Sequence, residues 1–163
     1  LTDKEQLLVA MEACFGEDAR RIEHARRVTA WAERIMADEG GDADIIIGAA
    51  VLHDIGIHEA ERKYGSAAGH LQEREGPPIA RRLLAGLGFE PDAIEEICDI
   101  IAHHHSPGVL STINFRVLYD ADWLVNLGDE YDIRDRMKLA GIIDRVLLTG
   151  TGKALAGEVY LRD

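Results

Sequence analysis

The chain is poor in cysteine, in basic charge and in long apolar runs, and each shortage removes a class of protein. Cys14 and Cys98 are its 2 cysteines, far apart and in no CxxC pair. They support neither a disulfide scaffold nor a zinc ribbon and are expected to be reduced, buried thiols. Lys and Arg number 18 against 30 Asp and Glu, a net charge of −12. That balance excludes non-specific binding to DNA, RNA or an anionic membrane, which needs a basic surface. A small anionic substrate stays open, because a buried cation and a few local arginines can reverse the sign inside a pocket. No apolar run reaches the roughly 18 residues of a membrane span. Asp3, Lys4 and Glu5 come first and Glu12 breaks the following apolar stretch, which does not resemble a secretory leader. The expected location is the cytoplasm.

Sustained two-residue alternation is missing too, so strands are at most minor and the expected fold is all-α: one domain over residues 1–163, of about six to eight helices. Thr2-Asp3 caps a first helix to about Cys14. A second runs from about Asp18 to Asp38 with Ile22, Ala25, Val28, Ala32, Ile35 and Met36 at helical spacing, and Gly40-Gly41 ends it. Asp42 caps a third through Ile55, stopped by Gly56. Residues 57–76 read as a long glycine-containing connection of the kind that is often functional. Pro77-Pro78 opens a fourth helix to about Leu87, Pro91-Asp92 a fifth to about His105. A sixth spans about Ser111 to Leu127 and a seventh about Ile133 to Leu148. Gly150-Thr151-Gly152-Lys153 lacks the spacing and the preceding strand of a phosphate loop.

Polar residues interrupt the apolar faces at a few places. His24 has Val28, Trp31 and Ile35 at i+4, i+7 and i+11, which puts it on or beside the inward face. Alone it reads more readily as a core histidine bonded to a carbonyl than as a ligand. His53-Asp54 ends a helix that is apolar nearly all round from Ile45 to Leu52, hence central and buried. A carboxylate at that helix C-terminus is disfavoured by roughly 0.3–1 kcal/mol. Something cationic, a metal or an arginine, should compensate Asp54. In the fifth helix the seam Ile94, Ile97, Cys98, Ile101 leads to His104, flanked by His103 and His105. At most two of these three histidines can face one point. In the sixth, Phe115, Leu118 and Tyr119 lead to Asp122, while Ile113 and Val117 lead to Asp120. Imidazole and carboxylate suit Mn, Fe, Co, Ni, Zn or Mg, and a small ligand set leaves positions for water and substrate. Such an ion makes hydroxide available near neutrality and polarises a phosphoryl oxygen. One shared divalent ion accounts for the whole pattern.

The order of these residues resembles the HD-domain superfamily of metal-dependent phosphohydrolases. The segment from Ile22 to Val28 resembles its first-helix histidine, Leu52-His53-Asp54-Ile55-Gly56 its HDIG signature, and Ala121-Asp122 its closing Ala-Asp. The resemblance implies an all-α fold with a central metal ligated by His24, His53, Asp54 and Asp122. Some members hold a second metal with a histidine before the fourth helix and one or two at the end of the fifth. His103-His104 resembles the latter and implies two further ligands. At the former position, counted from Gly76, stands Gln72, with His70, Glu73 and Glu75 nearby. Ile57 then His58 follow HDIG where dinuclear members often carry Lys, and the Gly-Tyr-Pro of cyclic-dinucleotide phosphodiesterases is absent. One metal site is expected and a second is left open.

The implied activity is hydrolysis of a small phosphate ester, a nucleotide by preference, through attack of metal-bound hydroxide. Asp54 or His104 would hold the water and pass protons. Lys63 and Arg62, in the long connection, are the expected phosphate contacts. Arg26, Arg27, Arg81 and Arg82 read as solvated helix-face charges. Two alternatives stand: a dinuclear phosphodiesterase or iron oxygenase on the same scaffold, and a non-catalytic ligand-sensing domain. The expected partner is the small phosphorylated substrate, with no nucleic-acid polymer and no membrane; a homodimer is left open.

Overall fold

The computed structural model describes residues 1–162. Its helices are α1 (Asp3–Phe15), α2 (Ala19–Glu39), α3 (Ala43–Leu52), α4 (Ile57–Tyr64), α5 (Gly69–Gly86), α6 (Pro91–His103), α7 (Ile113–Glu130), α8 (Arg136–Val146) and α9 (Gly150–Ala156), followed by a π-helical turn at Gly157–Leu161. No strand occurs among the described residues. None of their helices is long and apolar enough to cross a membrane.

The helix α3 is the centre because its sequence leaves it no polar face to show. Ile45, Ile46 and the whole of Gly48 to Leu52 are buried. It packs against α1, α2, α6 and α7, while α2 runs along α7 and α5 along α6. Gly48 permits the α6 contact: a Cβ there would lie 2.7 Å from Ile97 Cδ1. Helix starts follow the caps. The Thr2 hydroxyl accepts from Glu5 N at 3.2 Å and the Glu5 carboxylate from Thr2 N at 2.7 Å, closing a capping box. Asp42 accepts from Asp44 N and Ile45 N, and its own N–H donates to Asn114 Oδ1 at 2.8 Å, joining the start of α3 to α7.

The connection expected over residues 57–76 is mostly helix. The helix α4 begins right after the HDIG turn and α5 begins at Gly69, leaving only residues 65–68 as loop. Pro77 and Pro78 lie inside α5, not in its first turn. They remove two backbone donors, yet contacts from the preceding turns hold the helix. Glu73 accepts from His105 N and Ser106 Oγ, and the buried Glu75 accepts from Lys63 Nζ at 2.6 Å and Tyr64 OH at 3.0 Å. Tertiary contacts here override local punctuation.

Asp120 and Asp122 face opposite ways. Asp120 is fully buried and accepts from Leu148 N and Thr149 N, both at 2.8 Å, and from Thr149 Oγ1 at 2.6 Å. Thr149 in turn caps α9, so Asp120 fastens the C-terminal helix to α7. The Gly150-Thr151-Gly152-Lys153 segment is simply the first turn of α9.

Gly56 is where α5 meets the HDIG turn. A Cβ on Gly56 would lie 2.5 Å from Gly76 N and 2.8 Å from Gly76 Cα, both backbone atoms. Neither atom can step aside without moving α5. Gly56→Ala should therefore destabilise the fold by about 1–3 kcal/mol, read as a lower urea midpoint; an unchanged midpoint would contradict this contact.

Candidate metal centre

Two helices and two turns bring the polar residues together. His24 projects from the middle of α2, Asp122 from α7, His53-Asp54 from the turn after α3, and His104-His105 from the turn that follows α6. His24 Nε2 lies 3.2 Å from His53 Nε2, 3.1 Å from Asp122 Oδ1 and 3.3 Å from Asp54 Oδ2. His53 Nε2 lies 3.3 Å from Asp54 Oδ2 and 3.5 Å from Asp122 Oδ1. The other Asp54 oxygen, Oδ1, faces His104 Nε2 at 3.4 Å. Two sets of donors result, one of His24, His53 and Asp54 and one of Asp54, His104 and His105. Asp122 sits against the first set, and Asp54 belongs to both.

The donor chemistry suits a divalent ion. His53 Nδ1 donates to Ala50 O at 2.8 Å and His104 Nδ1 to Ile101 O at 2.6 Å. Each neutral ring therefore turns an Nε2 lone pair toward the carboxylates. His104 Nε2 is buried with no hydrogen-bond partner among the described residues. Acceptors gathered this closely repel unless a proton or a cation lies among them. Without a metal the proton takes that place. Burial opposes charge on His53, but Asp54 and Asp122 prevail and hold its pKa well above the usual histidine range. Burial likewise raises Asp54, but the histidines beside it, His53 first, hold it well below the carboxylate range. Asp122 is lowered by His53 and His24 against its burial.

His24, His53, Asp54, Asp122 and His104 thus meet as the sequence pattern anticipates, but His103, expected as a ligand, does not. It is half-buried, and its Nδ1 donates back to Asp99 O at 2.7 Å. The helix ends at His103, and the turn carries His105 beside His104, with ring centroids 4.0 Å apart. His105 also meets Gln72, whose Oε1 lies 3.0 Å from its Nε2. Burial lowers the His105 pKa. His70 is exposed, and His58 pairs with Asp18 at 2.8 Å instead of approaching the centre.

The cleft above the centre has a volume of about 730 Å³. Neither expected phosphate contact lines it. Lys63 is tied to Glu75, and the exposed Arg62 to Glu59. Both sit on α4, whose helical form turns them away from where a loop could have delivered them. The cations that do line the cleft are Arg20, Arg21 and Arg27. Arg20 and Arg21 were legible as neighbours of His24 at i−4 and i−3, a signal that distance from the HDIG motif obscured.

The HD domain family matches residues 21–127, and the chain belongs to that family. The match begins inside α2 and ends inside α7, the two helices carrying His24 and Asp122. The fold is similar to the crystal structure of a predicted HD superfamily hydrolase from an uncultured Thermotogales bacterium. The two share 25% identity at a TM-score of 0.72 over 96% of this chain and 84% of that one. No curated protein sequence matches the chain.

With the His53 pKa held above the usual histidine range by Asp54 and Asp122, a metal binding at its Nε2 would have to displace a proton. Metal affinity should therefore rise with pH, by about tenfold per unit for each proton displaced below the folded-state pKa. Titration calorimetry at pH 7 in two buffers of different ionisation enthalpy should show net proton release; buffer-independent heats would contradict it.

Proposed function

We propose that the chain is a metal-dependent phosphohydrolase acting on a small phosphate ester, with a nucleotide as the preferred substrate. The observation that carries this reading is the buried cluster of Nε2 and carboxylate oxygen atoms, its histidines aimed by backbone carbonyls, open to a cleft lined by arginines. The structural relative named a hydrolase supports it. His24, His53, Asp54 and Asp122 would hold the ion. Bound there, a divalent cation lowers the pKa of water and polarises a phosphoryl oxygen.

The protein's own groups do the rest. Asp54 offers Oδ2 to the first set and Oδ1 toward His104. A water held between Asp54 Oδ1 and His104 Nε2 would have an acceptor and a proton carrier on either side. The Ile101 carbonyl fixes the His104 tautomer, so its Nε2 takes up a proton and returns it to the leaving oxygen. Ile57 and Ala67 wall the cleft and limit solvent around the reacting group.

The shared Asp54 favours a second reading, in which a further ion sits between Asp54, His104 and His105. A dinuclear phosphodiesterase or an iron oxygenase would use that arrangement. Elemental analysis of protein purified without a chelating tag separates the two by metal count and identity.

Turnover of at least one compound is expected from a panel of phosphomonoesters and nucleotides supplied with Mn, Co, Ni or Mg. His104→Gln should reduce kcat by about a hundredfold or more with the first metal retained. Metal-loaded protein that hydrolyses nothing on the panel would overturn the reading.

A further inference from the structure

The cleft holds three arginines in very different circumstances. Arg21 is engaged by Asp18 at 3.0 Å and Glu61 at 3.2 Å. Arg27 is engaged by Asp129, at 3.0 Å and 3.3 Å to its two oxygens. Arg20 lines the same cleft, is exposed, and makes no ion pair or hydrogen bond within the described residues. The lining also carries Glu23, Asp54, Asp122, Asp129 and Glu130. With more acids than bases, the cleft does not gather anions by its overall field. An anionic substrate needs a dedicated cation besides the metal, and Arg20 is the one left uncommitted.

Its position says which part of a substrate it would meet. Arg20 precedes His24 by four residues on α2, so the two share a helix face. Four residues correspond to an axial offset of about 6 Å. Both side chains lean toward the helix N-terminus, which preserves that offset at their tips instead of folding Arg20 back over the cluster. Arg20 also lies in the first turn of a helix capped by Asp18, where the backbone N–H groups add partial positive charge. The anion it holds is therefore a second one, about a helical turn from the phosphoryl group at the cluster.

We infer that Arg20 anchors a non-reacting phosphoryl group, and that the substrate is a phosphoanhydride of the nucleoside di- or triphosphate kind and not a simple monoester. The inference rests on the phosphohydrolase reading above. Water adds to the phosphorus at the cluster, forming one P–O bond. The anhydride P–O bond breaks, its electron pair leaves with the phosphate at Arg20, and the protons of the water go to the product oxygens or to solvent.

The test compares wild type, R20Q and R20K as metal-loaded proteins. With a nucleoside triphosphate, R20Q should raise KM roughly ten- to a hundredfold, the loss of one hydrogen-bonded charge contact. Metal content and kcat should stay near wild type, and R20K should recover part of the affinity. KM for the matching monophosphate should not move. An unchanged triphosphate KM in R20Q, or equal loss on both substrates, overturns the inference. If wild type holds metal but hydrolyses neither compound, the phosphohydrolase reading falls by itself. Calorimetric binding of inorganic tripolyphosphate then decides Arg20: weaker binding by R20Q upholds the anion anchor, and equal binding removes it.

Discussion

Electrostatic conflict at one buried point organises this protein. Two imidazole nitrogens 3.2 Å apart share their space with oxygens of Asp54 and Asp122. Each of these atoms accepts hydrogen bonds or binds cations, and none can be left unpaired in the interior without penalty. The fold accepts the conflict because the reverse sides of the histidines are satisfied: the ring nitrogens of His53 and His104 that face away bond backbone carbonyls of their own helical turns. Those bonds orient the rings before any ion arrives. A divalent cation bound there would replace protons in a socket already shaped for it.

The surrounding helices can be understood as supports for that socket. The helices α2 and α7 lie side by side and present His24 and Asp122 from opposite flanks. The apolar α3 ends beneath them, and the turn that follows it delivers His53 and Asp54. The pair α5 and α6 closes the remaining side, where Gln72 and Glu73 grip His105 and Ser106. A carboxylate such as Asp120, on the far side of α7, does structural work only, tying α9 into place.

The all-helical architecture and the convergence of His24, His53, Asp54 and Asp122 were legible in the sequence. Their signal is a polar residue breaking an apolar periodicity, which depends only on local spacing. The stretch from 57 to 76 was not legible. Gly65 and Pro77-Pro78 carry strong local turn signals, but contacts made by Glu73 and Glu75 with distant residues decide the outcome. The choice between His103 and His105 failed for a similar reason. Three identical side chains at a helix end are told apart only by where the helix stops. The cleft arginines were obscured because their role depends on which acids have already claimed their neighbours, a fact of tertiary structure.

The bare meeting of Gly56 with Gly76 has a consequence for how such a pocket diversifies. Two stretches of main chain touch there without any intervening side chain. The separation between the floor under the HDIG turn and the wall opposite is thereby set by peptide thickness alone. The spacing between the HDIG turn and α5 is a dimension that cannot be adjusted in small increments from Gly56, since the smallest side chain there already presses on the α5 backbone.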